Sequence, residues 1–221
     1  MAKKIGAVII NSDSMQVYSN LEILTARPSQ SDLREVKHLL YGYVNGSQRY
    51  NVAKWCDDIS DIIDEYQKQK IPVIIVGGSG MYIQSLIKGM TDLPLINENY
   101  KKKSYILYKK IGLENFIKEI KNFDPVSLNK ISLNDTLRMR RIWEVYKSTG
   151  IPFSKWKKKE NKKYLKNFDY KILLFTPLRD KIYHNVNIRF KEMIKNGAIE
   201  EVQELLNLFL DQSLPIMRAH G

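Results

Sequence analysis

A length of 221 residues, a formal charge of +12 and a single cysteine set the first limits: one sizeable domain or a domain with a smaller insertion, no intramolecular disulfide, no cysteine-based zinc site. No apolar run approaches the ~20 residues that span a bilayer, and the first residues lack a signal peptide's long apolar core, so a cytoplasmic protein without membrane contact is expected. The excess of lysine and arginine suits a polyanionic partner, electrostatically a nucleic acid or an acidic membrane surface, although a lysine-rich genome would leave the same balance.

Ile5 to Ile10 is an apolar run that reads as a buried strand. It puts Asp13 just past a strand's carboxyl end, where open α/β sheets bind ligands and where a carboxylate can act as a base. Residues 51–69 carry Val52, Trp55, Ile59, Ile62, Ile63 and Tyr66 at helical spacing, a stripe expected to lie against the sheet, with Cys56 in the core. Ile71-Pro72-Val73-Ile74-Ile75-Val76 is a second buried strand. Gly77-Gly78-Ser79-Gly80 follows, then a helical pattern from Met81 to Ile87, which makes a strand–loop–helix unit. Glycines there let backbone approach a ligand, and the helix N-terminus favours anions. A tight turn whose glycines only relieve sterics would have the same sequence.

Pro94, Asn97 and Asn99 mark a break, after which lysines interleave with Tyr and Phe. Helical patterns run over Tyr100 to Ile111, Leu113 to Ile120, and from Ser132 or Asn134 to Ser148, and residues 96–167 read as a helical insertion into a core of 1–95 and 168–221. Asn134 is expected to cap the third of these helices, with Asp135 in its first turn. Arg138 and Arg141 are three apart and share a face, with Arg140 turned away; that face is either simply solvated or meets phosphates. The run Lys157 to Lys163 is open to the same two interpretations. Tyr170 to Phe175 reads as a third strand returning to the sheet, ended by Pro177. Helices from Arg179 to Gly197 and from Ala198 to Leu210 complete the chain, and His38, His184 and His220 have no metal-ligand spacing.

Taken together, several segments carry a resemblance. Asn11-Ser12-Asp13-Ser14-Met15-Gln16-Val17-Tyr18, Leu24-Thr25-Ala26-Arg27-Pro28, His38-Leu39 and Val76-Gly77-Gly78-Ser79-Gly80-Met81-Tyr82 resemble the bacterial tRNA dimethylallyltransferases. So do Asn134-Asp135 with Arg138 and Arg141, Glu144-Val145, Thr149-Gly150-Ile151-Pro152-Phe153-Ser154, Met193, Gly197, Glu201-Val202 and Met217-Arg218-Ala219. The series covers nearly the whole chain in the family's order. It implies an α/β fold, a P-loop-NTPase-like parallel sheet flanked by helices, with a helical insertion subdomain. In that family a strand and a Gly-rich loop with Lys-Ser/Thr precede the segment corresponding to Met1, and a further motif continues past His220-Gly221. The resemblance therefore implies a fragment impaired in donor binding and marginal in stability.

The reaction so implied moves a dimethylallyl group from dimethylallyl diphosphate to N6 of an adenosine beside the anticodon of tRNA. Asp13 is expected as the base and Ser79, in place of the family's threonine, as a hydroxyl on the diphosphate. Ser14, Met15 and Gln16 are expected to line the base pocket, with the adenosine drawn out of its stack. Lys101 and the helix residues Leu137, Arg138, Met139, Arg140 and Arg141 would meet the tRNA anticodon stem-loop; Leu137 stands where glutamine is usual. Arg179 and Arg189 would hold diphosphate, with Asn185 where another arginine is expected. His38 matches a histidine near the family's active site, although a lone histidine beside Leu39 and Leu40 is also a common structural group. Magnesium on the donor and a monomeric state complete the expectation. An inactive RNA-binding remnant and a P-loop nucleotide kinase relative are the alternatives.

Overall fold

The computed structural model, which describes residues 1–165 and 168–219, divides into two units: Met1–Lys88 with the residues from Lys163 onward, and Gly89–Lys162. In the first unit, helix α1 (Ala2–Ile5) turns through left-handed Gly6 into strand β1 (Val8–Asn11). Helix α2 (Gln30–Glu35), strand β2 (His38–Leu39), helix α3 (Val52–Lys68), strand β3 (Val73–Val76) and helix α4 (Gly80–Lys88) follow. All three strands are parallel, in the order β2-β1-β3, so β1 is central. Its β-branched run Val8-Ile9-Ile10 suits a strand covered on both faces, and Ile10 is fully buried. Val8 pairs with Val73 and Asn11 with Val76, and the Ser12 N–H extends that ladder to the Val76 carbonyl at 2.8 Å. This register carries Asp13 and Ser79 off adjacent strand ends.

Helix α3 starts where Asn51 accepts the N–H groups of Ala53 and Lys54. It buries Trp55, Cys56, Ile59, Ile63 and Tyr66, the stripe that its periodicity predicts. Trp55 meets Tyr82 of α4 with ring centroids 4.9 Å apart. Gly77 sits where a Cβ would come within 2.5 Å of the Ser12 backbone, so no larger residue allows the two strand ends to close together.

The second unit holds strand β4 (Met90–Thr91), helices α5 (Glu98–Lys121), α6 (Pro125–Leu128), α7 (Thr136–Thr149) and α8 (Phe153–Trp156), and strand β5 (Asn161–Lys162). β4 and β5 pair antiparallel where the chain enters and leaves the unit. Its limits are thus 89 and 162, against the expected 96–167, whose upper bound lies outside the described residues. Gly112 (φ 73°, ψ 173°) breaks α5 into the two helical stretches that the sequence pattern divides there. Phe116, Ile120, Leu128, Met139, Ile142 and Trp143 form its core. Asp124, 1% exposed, ties α6 to α8 by accepting the Ser127 N–H and hydroxyl and the Ser154 N–H. Burial pushes this carboxyl up, but those hydrogen bonds outweigh it and hold it below the usual range.

Back in the first unit come helix α9 (Arg179–Lys195), helix α10 (Ala198–Leu206) and a 3₁₀ turn at Pro215–Arg218. The third strand expected over Tyr170–Phe175 does not form: this stretch is exposed and pairs with no strand among the described residues. Its composition favours a strand, but a strand needs a ladder partner, and among the described residues β3 pairs only with β1. Helix α9 buries only Met193.

Candidate active site

The site grows from the turn that leaves β1. Asn11 is fully buried and is bonded through every polar atom of its side chain. Its Oδ1 accepts the Asp13 N–H at 2.7 Å, while Nδ2 donates to the carbonyls of Asp13 and Leu40, each at 3.0 Å. Its backbone carbonyl accepts the Trp55 indole N–H at 2.9 Å. Asp13 in turn uses Oδ1 to accept the Met15 N–H at 2.8 Å and the Gln16 N–H at 3.3 Å. Its Oδ2 accepts no hydrogen bond from the described residues. One carboxylate oxygen is therefore fixed by the backbone and the other is available for a proton.

The Ser79 hydroxyl oxygen accepts the Ser14 N–H at 3.1 Å. An oxygen engaged as acceptor keeps its own proton to donate. Ser14 and Ser79 together line a cavity of about 440 Å³, with Tyr50 and Tyr82, where the N-termini of α3 and α4 begin. The Tyr43 and Tyr50 hydroxyls each lie 2.7 Å from the Asp58 carboxylate, and the two hydroxyls also meet each other. Burial above all raises both of these phenols, so they stay protonated.

A second cavity, of about 520 Å³, is lined by Gln16, Arg27, His38, Tyr41 and Val76 among others. Gln16 spends both amide protons, on the carbonyls of Thr25 (2.8 Å) and Ala26 (3.0 Å). His38 has Nδ1 at 2.8 Å from the Val36 carbonyl, which accepts a hydrogen bond from that nitrogen. Arg27 pairs with Glu22 at 2.8 Å and lies over left-handed Gly42, where a Cβ would overlap its guanidinium. Burial and the nearby Asp13 carboxylate push the Tyr41 phenol up to about 12. Tyr82 is raised by burial first, then by Tyr18, Asp13 and Cys56.

The basic residues of the second unit play different parts. Asp135, not Asn134, caps α7: its carboxylate accepts the Arg138 N–H at 3.0 Å and pairs with the Arg138 Nε at 3.2 Å. Arg138 and Leu137 are exposed. Arg140 donates to the Ser104 hydroxyl at 3.2 Å and lies 5.2 Å over the Tyr105 ring. Arg141 is lowered by burial, against the pull of Glu144. Lys101 pairs with Glu98 at 2.5 Å. Met139 corrects the expected tRNA face: it is fully buried in the unit's core, so its side chain packs instead of meeting a ligand. Arg179 and Arg189 lie on exposed α9, ten residues and hence about 15 Å apart along its axis. Sequence reasoning gave Asn11, Tyr41 and Tyr82 no separate role; an asparagine closing an apolar strand was the one local signal.

The sequence pattern of the IPP transferase family matches residues 16–221. The chain belongs to this family. The tRNA dimethylallyltransferase of Bartonella quintana (strain Toulouse) is 39% identical over 222 residues, which span all of this chain and 74% of the relative. That of Wolbachia sp. subsp. Drosophila simulans (strain wRi) is 40% identical over 214 residues, 96% of this chain and 71% of the relative. The crystal structure of the full-length tRNA isopentenylpyrophosphate transferase from Bacillus halodurans superposes with a TM-score of 0.59 at 25% identity, covering 99% of this chain and 67% of that one. A eukaryotic dimethylallyltransferase acting on tRNA gives a TM-score of 0.77 at 22% identity, over 96% of this chain and 52% of that one. The fold is therefore the P-loop-NTPase-like α/β fold of the tRNA isopentenyltransferases. No helix among the described residues is long and apolar enough to cross a membrane.

Proposed function

We propose that this chain catalyses transfer of a dimethylallyl group from dimethylallyl diphosphate to N6 of an adenosine beside the anticodon of tRNA, with Asp13 as base. The exocyclic nitrogen forms a bond to the first carbon of the dimethylallyl group as the carbon–oxygen bond to diphosphate breaks. The nitrogen's proton passes to Asp13, and the diphosphate leaves with the bonding electrons. An amine conjugated with a purine is a poor nucleophile, so a carboxylate with one oxygen anchored and one open suits the proton transfer. The anchoring of Asp13 Oδ1 on the Met15 and Gln16 N–H groups is the observation that carries this assignment. Ser79, whose proton is left for donation, serves the leaving diphosphate. Arg179 and Arg189 are the proposed cations for it, and Lys101, Leu137, Arg138, Arg140 and Arg141 the proposed tRNA contacts. Arg140 would present its guanidinium from over the Tyr105 ring.

Magnesium would ride on the donor diphosphate. Among the described residues no group of three His, Cys, Asp or Glu converges to hold a metal. Those residues do not make a metal cage.

Asp13→Asn keeps the shape of the turn and removes the base. Incorporation of labelled dimethylallyl into tRNA should fall roughly 100- to 10,000-fold, with the tRNA dissociation constant changed by less than about threefold. Normal turnover in the variant would mean that another group takes the proton. A second reading, RNA binding with little transfer by residues 1–221, is favoured by the exposure of the Tyr170–Phe175 stretch and of α9, which carries both proposed diphosphate arginines. Normal transfer by the unaltered chain removes it.

A further inference from the structure

Residue 201 lies far from the Asp13 turn in sequence, yet its carboxylate is linked to that turn by hydrogen bonds on both sides of the 22–26 backbone. Glu201 stands in the first turn of α10, after left-handed Gly197. Oε1 accepts the N–H groups of Glu22 and Ile23, at 2.5 and 2.9 Å, and Oε2 accepts that of Leu24 at 2.8 Å. Three successive amides converging on one carboxylate form an anion nest, here filled by the protein's own side chain. The turn that they open is closed by Ala26 N–H to Ile23 carbonyl and Arg27 N–H to Glu22 carbonyl, each 3.0 Å, with Ala26 in the left-handed region (φ 51°). A non-glycine residue held there is strained and needs its surroundings to keep it so. The carbonyls presented by this turn, Thr25 and Ala26, are the two that take the Gln16 amide protons. With both protons committed, the amide cannot flip, and Oε1 remains as the acceptor of a residue that lines the 520 Å³ cavity. The Gln16 backbone is tied to the Asp13 carboxylate in its turn.

We propose that Glu201 is a positioning residue: through the 22–26 turn it fixes the orientation of Gln16 and, with it, the Asp13 loop. An amide locked with its oxygen outward suits an acceptor substrate that offers N–H groups, as an exocyclic amine does. This meaning for substrate choice rests on the function proposed above; the mechanical coupling does not.

The test is amide hydrogen exchange on the whole chain, with Glu201→Gln as the main variant. The substituted amide sets a donor against the three N–H groups in place of a carboxylate oxygen. Exchange should quicken at least tenfold at Glu22–Leu24 and at Met15 and Gln16, while β1 keeps its rates. Glu201→Asp, with its charge kept and its reach shortened by one methylene, should give intermediate rates at both places, and it serves alone if Glu201→Gln does not fold. Glu200→Gln, one residue earlier, should alter neither. In the transfer assay Glu201→Gln should lower kcat about tenfold with KM for tRNA unchanged. Faster exchange confined to residues 22–24 would overturn the proposal, leaving Glu201 as a tie for α10 alone. So would a lowered melting temperature with kcat intact. Loss of kcat in Asp13→Asn with unchanged exchange in Glu201→Gln would retain the base and reject the coupling.

Discussion

The turn at residues 11–16 and the stretch at 168–192 belong to the same unit and are held in opposite ways. In the turn, Asn11 is fully buried and bonded at every polar atom, and Trp55, Leu40, Ser79 and the 25–26 carbonyls all reach in from other elements. In the later stretch, apolar side chains face solvent: Leu174 is 83% exposed and Phe175 86%. Polar satisfaction gives the turn a single conformation, because any alternative strands buried donors. Apolar composition gives the stretch no such constraint until something covers it. The difference teaches that the candidate site is organised by hydrogen bonds converging from distant segments, not by the amount of apolar surface around it.

The largest expected effect is on the turn. Asn11→Leu keeps the branched shape and heavy-atom count, though with bulkier methyl groups, and removes three hydrogen bonds, leaving the Asp13 N–H and the buried Leu40 carbonyl without their partner. A loss of about 2–5 kcal/mol follows, read as a shift in the urea midpoint. If the midpoint moves by less than one kcal/mol's worth, the turn is held by something other than this amide. Alkaline pH gives a second, graded test. Tyr41 is pushed up to about 12, and Tyr18, Tyr43, Tyr50 and Tyr82 are raised, burial being the main cause for each. A phenol whose folded value exceeds its unfolded value of about 10 contributes stability that is complete below pH 10 and is lost as pH rises through the folded value. Melting temperature should therefore hold up to about pH 10 and fall between pH 10 and 12, with phenolate absorbance rising in the same window. Phenolate absorbance that develops fully near pH 10 without loss of structure would mean that these rings are open to solvent.

Much of this was legible locally. The runs ending at Ile10 and Val76 are β-branched and bounded by turn residues, and α3 shows its stripe in the spacing of Trp55, Ile59 and Ile63. Asp13 and Ser79 could be picked out because each follows such a run. The misreadings have physical causes. Met139 sits among arginines in sequence, but with Ile142 and Trp143 it forms an i, i+3, i+4 apolar set, which is what the fold buries. The α7 cap moved by one residue because Asp135 both accepts the Arg138 N–H and pairs with its side chain. Glu201 belongs to the family pattern, but nothing local tells its role, since its three partners lie almost the whole chain away. Tyr170–Phe175 has a strand's composition, but pairing is a property of two segments, and only one of them was in view.

That last segment carries the smallest predicted effect, and the one that bears most directly on the contrast. Phe175→Ser replaces a large apolar side chain by a small polar one at a position that is 86% exposed. Such a change away from packing, caps and buried polar groups moves stability by no more than about 0.5 kcal/mol, so the melting temperature should be unchanged within error. Phe116→Ser, in the fully buried core of the second unit, is the matching control and should abolish that unit's cooperative transition. If Phe175→Ser were instead to cost as much as a core truncation, about 3–5 kcal/mol, the 168–178 stretch would be covered in solution, and the two regions would be held by the same kind of burial after all.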